Sequence, residues 1–405
     1  MSKTGKARNI VFAVAVAACL LSVVAYKAAV LLTPLEDEES SVIEARELEN
    51  LPELTWEAFE SGEYQDDFEQ FVDDSVPGHD AALLANAALQ QCAITIANIP
   101  FGFDARPTFY GSDYVYMASI GAIWGMPGDA LSEEEMADWA EACSEVIETD
   151  SGIDWVFCLC DGTAVTAANP VLSLTSADAS GYSYLEDGFL DLLPESCTIV
   201  DGSYTSTEEY VEDHFLTDHH WNIRGALRAY DSIIEALGKE PVEFGEVYTA
   251  YEGPFWGSYA RRGLSILGEG DAILDVEYDR SSLRVMVDGV EQYASYLDES
   301  FAADYTSYTK SSMFADCYGS YFHGDPGLIE IENLDVQNGE SLLIIGDSYT
   351  NCMERFFAES YQYVYVIDPR NYEEGTIQEF LDGHDIDDGV FICQYALLQN
   401  VENLL

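Results

Sequence analysis

A chain of 405 residues with 75 acidic side chains against 16 basic ones carries a net charge of −59. Binding a nucleic acid requires Lys and Arg to neutralise phosphates, so this balance excludes nucleic-acid partners. A hydrophobic content of 48% and an aromatic content of 13% argue for a globular chain with a large core, not a disordered one.

The N-terminus carries Lys3, Lys6 and Arg8 ahead of an apolar run from Ile10 to Tyr26, and after Lys27 the apolar character continues to Leu32. The uninterrupted run spans roughly 25 Å at 1.5 Å per residue, and a snorkelling Lys27 lengthens it. Basic charge before the run and acids from Glu36 onward place the remainder outside the cytoplasm by the positive-inside rule. Residues 1–34 are therefore expected to form a signal anchor, a single transmembrane helix. The alternative is a cleaved signal peptide, but no small-x-small site follows the run. Val16-Ala17-Ala18-Cys19 loosely resembles a lipobox, yet the apolar run continues past Cys19.

Beyond that segment lie eight cysteines, an even number that permits disulfides in an exported chain. Most sit in apolar runs such as Val156-Phe157-Cys158-Leu159-Cys160, where free buried thiols are the alternative. Zinc-type spacing is missing.

Residues 35–55 read as an acidic tether, and 56–405 as one domain. A helical pattern runs from Trp56 to about Ala97, and residues 108–124 suggest a short strand pair. Ser132-Glu133-Glu134-Glu135 is a capping box that opens a helix to about Ile147. Ile153–Cys160 predicts a buried strand and Cys197–Val200 a second, shorter one. Asn222 caps a helix from Ile223 to Leu237, with Gly238 as its stop. Residues 242–335 alternate apolar and polar positions and read as a β-rich insertion. An α/β pattern follows: strand Leu342–Ile345, helix Cys352–Ser360, strand Tyr363–Ile367, helix Thr376–Leu381 and strand Gly389–Gln394.

Two stretches carry chemistry. In Thr217-Asp218-His219-His220-Trp221 an acid precedes a pair of histidines, and His214 lies close by. In an extended segment Asp218 and His220 share a face and His219 points away, which lets the carboxylate hold one imidazole nitrogen and leaves the other free as a base. The plain alternative is a satisfied histidine cluster at a helix start. The second stretch, Leu342-Leu343-Ile344-Ile345-Gly346-Asp347-Ser348, predicts a strand that delivers Ser348 to the carboxyl edge of a sheet, where open α/β proteins bind ligands. It also predicts a helix start there, whose free N–H groups hold an oxyanion. Together the stretches suggest Ser348 as nucleophile, His220 as general base and Asp218 as orienting carboxylate. Asn351 is a candidate oxyanion donor beside the Ser348 N–H. Arg370 is either a substrate or oxyanion ligand or a structural ion pair with Asp368. The tyrosines at 293, 296, 305, 308, 318 and 321, with Trp256, suit either core packing or sugar stacking.

The chain resembles the DHHW protein family, related to the SGNH-hydrolase-like domains of alginate O-acetyltransferases. The resemblance runs through Glu49–Trp56, Phe68–Asp74, Thr217–Trp221 with Gly225-Ala226, Phe255-Trp256-Gly257-Ser258-Tyr259, Gly346-Asp347-Ser348 and Val366–Arg370. It implies an α/β, SGNH-like three-layer sandwich with a parallel sheet and the triad Asp218, His220 and Ser348. Acid and base precede the nucleophile, the reverse of the usual SGNH order, as a circular permutation produces. His219, Trp221 and Asp347 become structural neighbours of the site. Two features depart from the pattern. Pro77-Gly78-His79 replaces a Pro-x-Arg sequence, and the glycine and asparagine blocks of standard SGNH esterases are missing.

The resemblance implies an extracytoplasmic O-acyltransferase or acetylesterase acting on a cell-surface or exported polysaccharide, without metal or cofactor. A membrane-bound O-acyltransferase is the expected acyl-donating partner. Two other readings stand beside it: a non-catalytic glycan-binding or assembly protein, and a metal-dependent hydrolase using His214, Asp218, His219 and His220.

Overall fold

In a computed structural model the protein is described at residues 40–41, 46–76, 78–98, 108–110, 114–117, 119–126, 132–163, 166–171, 188–263, 270–279, 281–292, 318–321 and 324–405. The anchor expected over residues 1–34 lies outside them, as do Pro77, Cys317 and the tyrosines at 293, 296, 305 and 308. Among the described residues no helix is long and apolar enough to cross a membrane.

The chain divides into two compact units, 1–103 and 104–405. In the first, the expected helical stretch is three helices: α1 (Trp56–Ser61), α2 (Glu63–Asp74) and α3 (His79–Asn98). Gly62, at φ 94°, separates α1 from α2, a conformation that costs glycine little. Two short stretches inside the expected tether pair as antiparallel strands, Ser40 with Glu47 and Ser41 with Arg46.

The second unit opens with three antiparallel strands where two were expected, β1 (Thr108–Tyr110), β2 (Tyr114–Met117) and β3 (Ala122–Gly125). Helix α4 (Glu133–Glu148) starts at the anticipated capping box, with Ser132 and Glu135 bonded reciprocally. Next come β4 (Asp154–Leu159), β5 (Thr198–Val200), α5 (Thr207–Asp213) and α6 (Ile223–Ala236), the last capped by Asn222. Then follow β6 (Val247–Phe255), α7 (Ser258–Arg262), β7 (Asp271–Val276), β8 (Leu283–Val287), β9 (Val290–Gln292) and β10 (Leu328–Asn333). The chain ends with β11 (Ser341–Gly346), α8 (Glu354–Phe357), β12 (Tyr363–Ile367), α9 (Ile377–Gly383), β13 (Asp388–Cys393) and a 3₁₀ segment, Tyr395–Leu404.

Eight strands form one sheet in the order β9-β8-β10-β12-β11-β13-β4-β5. The five from β12 to β5 run parallel, and β10, β8 and β9 extend the sheet antiparallel. The stretch 242–335 is β-rich as expected, with five strands among the described residues: β6 and β7 pair as a ribbon of their own, whereas β8, β9 and β10 join the central sheet. Periodicity shows that a segment is a strand but not which strand it joins.

Alternation along β11 builds both faces of the core. Leu342 and Ile344 pack on one side with Tyr230, Ile233 and Ile234 of α6. Leu343 and Ile345 pack on the other with Cys143 and Val146 of α4 and with Leu397 and Val401. Buried on both faces, the parallel strands need the continuous apolar runs that the sequence shows, and the result is helices on either side of a mostly parallel sheet. The cysteines described are free thiols, all buried except Cys92.

Candidate active site

Strand β11 is buried at every position and ends at Gly346. A Cβ there would lie 2.3 Å from Thr350 Cγ2 and 2.7 Å from the Ile392 carbonyl oxygen, so only glycine permits the turn that follows. Asp347 then fixes that turn. Its two carboxylate oxygens accept the Tyr349 and Gln394 N–H groups, each at 3.0 Å, tying the end of β11 to the end of β13. Burial pushes the Asp347 carboxyl up to about 6, against the lowering effect of those N–H bonds.

Ser348 stands at the carboxyl edge of the parallel strands, as expected, but not at a helix start. The N–H groups of Thr350, Asn351 and Met353 bond three residues back, to Asp347, Ser348 and Thr350. These tight turns replace the first helical turns, and α8 begins only at Glu354. The backbone N–H of Ser348 itself makes no hydrogen bond among the described residues, which leaves it available to an oxyanion.

The histidine loop is not extended either. His214 and Trp221 form an antiparallel bridge, and residues 216–220 bend between them. Asp218 reaches His220 by an aspartate turn instead, its side chain bonding two residues on. Asp218 Oδ1 accepts the His220 backbone N–H at 3.1 Å and lies 2.6 Å from His220 Nδ1. His220 Nε2 lies 2.7 Å from Ser348 Oγ. Asp218 Oδ2 accepts the Ser258 N–H at 2.6 Å, so the start of α7 holds the carboxylate from behind. Burial alone would raise the Asp218 pKa, but His219, His220 and these hydrogen bonds outweigh it and hold the group well below the ordinary carboxylate range.

The His220 ring is enclosed on both faces. Tyr318 stacks on one face at 3.6 Å and 5°, and its hydroxyl donates to the Ser348 carbonyl at 2.8 Å. His219 covers the other at 3.7 Å and 38°. The bend therefore brings His219 beside His220 instead of turning it away. Its Nδ1 is 2.6 Å from Ser258 Oγ, and its carbonyl accepts the Tyr349 hydroxyl. Trp221 is buried, and its Nε1–H donates to the Tyr349 carbonyl at 2.9 Å. His214 stacks on Tyr210 at 3.8 Å, its Nδ1 3.0 Å from the Tyr210 carbonyl, and takes no part in the Asp218 cluster.

Neither auxiliary candidate faces the serine hydroxyl as a free group. The Asn351 amide donates to the Gly324 carbonyl at 3.2 Å and to Asp325 Oδ1 at 3.0 Å, which commits both of its hydrogens. Arg370 adopts the structural reading, bound bidentately by Asp368 and paired with Asp325 at 3.1 Å. Sequence reasoning named Tyr318, Ser258 and Gly257 but gave none of them a place beside the histidine and aspartate. The Gly257-Ser258 pair sits inside the Phe255–Tyr259 motif, which was the one signal for it. A stacking tyrosine a hundred residues from His220 leaves no local pattern.

Asp218, His219 and His220 also bring three metal-capable atoms within 4.8 Å of one another. The same cluster holds the hydrogen-bonded chain from Asp218 through His220 to Ser348. Chemically, the chain is a carboxylate, an imidazole and a hydroxyl in sequence, able to move a proton off Ser348 Oγ and return it.

Residues 191–367 match the sequence model described as DHHW protein. No curated protein matches the chain. Among solved structures, a DHHW family protein from Eubacterium siraeum is similar at 20% identity and a TM-score of 0.56, covering 74% of this chain and 98% of its own. Bacillus cereus PatB1 is similar at 17% identity and a TM-score of 0.53, covering 72% and 97%. A second PatB1 structure, with a sulfonyl adduct, gives 19% and 0.52, covering 69% and 93%. At these identities the likeness is one of fold. Residues 191–367, which hold the Asp218–Trp221 string and Ser348, carry the likeness to the DHHW protein family.

Proposed function

We propose that this chain is a serine-dependent O-acyltransferase or acetylesterase that acts outside the cytoplasm on a cell-surface or exported polysaccharide. Ser348 is the nucleophile, His220 the general base and then acid, and Asp218 the carboxylate that orients His220 and stabilises its cationic form. The observation that carries this reading is the pair of contacts at His220, 2.6 Å from Asp218 to Nδ1 and 2.7 Å from Nε2 to Ser348 Oγ. The free Ser348 N–H supplies one oxyanion donor. In this reading the order of acid, base and nucleophile follows a circular permutation of the SGNH pattern. The anchor at 1–34 holds the domain at the membrane, where a membrane-bound O-acyltransferase supplies acyl groups.

In the first half-reaction Ser348 Oγ attacks the acyl carbonyl while its proton passes to His220 Nε2. That proton then goes to the leaving oxygen. Water or a sugar hydroxyl repeats the sequence in reverse on the acyl-serine. The test is p-nitrophenyl acetate turnover by the purified full chain, alone and after a sulfonyl fluoride, compared with Ser348→Ala. The expected result is loss of at least about a thousandfold in kcat/KM on removing a triad member. Acetyl release that survives the substitution would sink the assignment.

A further inference from the structure

Asp218, His219 and His220 lie together, yet only one of them meets solvent. The side chains of Asp218 and His220 are 4% and 6% exposed, and that of His219 is 27% exposed. His219 Nδ1 is engaged by Ser258 Oγ at 2.6 Å, with Asp218 Oδ1 at 3.5 Å. The nearby carboxylate favours the proton on Nδ1, so that Nδ1–H donates to Ser258 Oγ and Nε2 presents a lone pair. Nε2 has no partner among the described residues. Most of the ring is deep enough that burial, followed by the neighbouring His220, pulls its pKa down to about 3. It therefore stays uncharged while His220 takes up and releases a proton beside it.

We propose that His219 is the acceptor-positioning residue of this site: its open Nε2, held in place by Ser258, takes a hydrogen bond from a hydroxyl of the acceptor sugar that neighbours the one receiving the acyl group. This rests on the serine-dependent reading above. The acceptor is a sugar with neighbouring hydroxyls, one held by His219 and the other reacting. The oxygen of the reacting hydroxyl attacks the acyl carbon of the Ser348 ester, and its proton goes to His220 Nε2. The bond from that carbon to Ser348 Oγ breaks, and Oγ recovers the proton from His220. His219 neither gains nor loses a proton. It holds the sugar so that the neighbouring hydroxyl stands where water would otherwise attack, and so it biases transfer over hydrolysis.

The two nitrogens of His219 can be tested separately, because asparagine places its amide near Nδ1 and glutamine places its amide near Nε2. The full chain is given p-nitrophenyl acetate with glycerol or cellopentaose as hydroxyl acceptors. Acetyl transferred is measured by mass spectrometry against acetyl hydrolysed. That ratio does not depend on how fast the acyl-enzyme forms. His219→Asn, which keeps the bond to Ser258 and loses the open nitrogen, should lower the ratio about tenfold, the worth of one hydrogen bond. His219→Gln should hold it within about threefold of the unaltered chain. The opposite ranking would show that His219 acts only through Ser258 and would overturn the proposal, as would hydrolysis without transfer by the unaltered chain. Release that persists in Ser348→Ala instead overturns the serine reading beneath it.

Discussion

Gly257→Ala perturbs the Asp218 carboxylate through a contact that the structure defines closely. Gly257 has φ −75° and ψ −167°, extended backbone that alanine adopts without strain. The whole cost is therefore steric. The new Cβ would sit 2.3 Å from Asp218 Cβ and 2.4 Å from Oδ2, about 1 Å closer than carbon and oxygen tolerate. The backbone of Gly257 cannot easily retreat. Its N–H donates to Thr217 Oγ1 at 3.0 Å, and Thr217 is bound in turn to Asp271 through both its hydroxyl and its N–H. Asp218 must yield and lose the Ser258 N–H bond. Overpacking of this kind costs about 1–3 kcal/mol, and a hydrogen bond to a charged group a further ~1.5–3 kcal/mol. A Tm drop of roughly 5–15 °C is expected for a unit of this size. Displacing the carboxylate by about 1 Å should lower kcat/KM for p-nitrophenyl acetate on the order of a hundredfold. Melting curves and steady-state kinetics at a temperature where the variant is folded check both values. Gly383→Ala, at the end of α9 with nothing within 4 Å of its Cβ, is the control and should change stability by less than about 0.5 kcal/mol. Unchanged kinetics in Gly257→Ala would refute the claim that α7 sets the position of Asp218.

Two further outcomes are expected. Arg370→Met removes the partner of a mostly buried Asp368 and should destabilise the fold by about 1–2 kcal/mol, discounted for the third of the arginine that is exposed. Its effect on acetyl release should stay within about threefold, and a loss of several hundredfold would restore Arg370 to the chemistry. Glu354 is fully buried, and burial pushes its carboxyl from 4.5 up to about 8. Its folded pKa lies above its unfolded one, so its contribution is fully present below 4.5 and is lost as pH rises through 8. Between pH 5 and 8 the unaltered chain should lose on the order of 3 kcal/mol more than Glu354→Gln. Parallel urea titrations of the two proteins measure this, and equal slopes would contradict it.

Helix starts at Ser132 and Asn222 were legible from their caps, because the cap and the N–H it satisfies lie two or three residues apart, whereas the Ser206 cap of α5 was not read. The strands of the parallel sheet were legible from continuous apolar runs, and their predicted limits differ from the observed ones by a residue or so. The helix expected over Cys352–Ser360 is present but spans only Glu354–Phe357, and the tight turns that delay its start after Ser348 were not legible. Asp347 spends its side chain on the Tyr349 and Gln394 N–H groups, and Gln394 is forty-seven residues away. Nor was the membership of β8, β9 and β10 in the main sheet. An alternating strand fits any open edge, and only the pairing of β10 with β12 settles which one.

The sequence by itself pointed to Asp218, His220 and Ser348 as residues that meet. The two-residue spacing of Asp218 and His220 and the strand leading into Gly346-Asp347-Ser348 survive the correction of both local conformations, because a turn and a strand each bring an aspartate to a histidine two residues on. Tertiary structure alone decided how those residues are held and what surrounds them. Tyr318 and His219 enclose the His220 ring, Ser258 and Gly257 back the Asp218 carboxylate, and Asn351 and Arg370 are committed to Asp325 and Asp368. Each of these contacts joins side chains that only packing of the sheet, its helices and the β6–α7 segment brings within reach, and no periodicity along the chain records a distance of that kind.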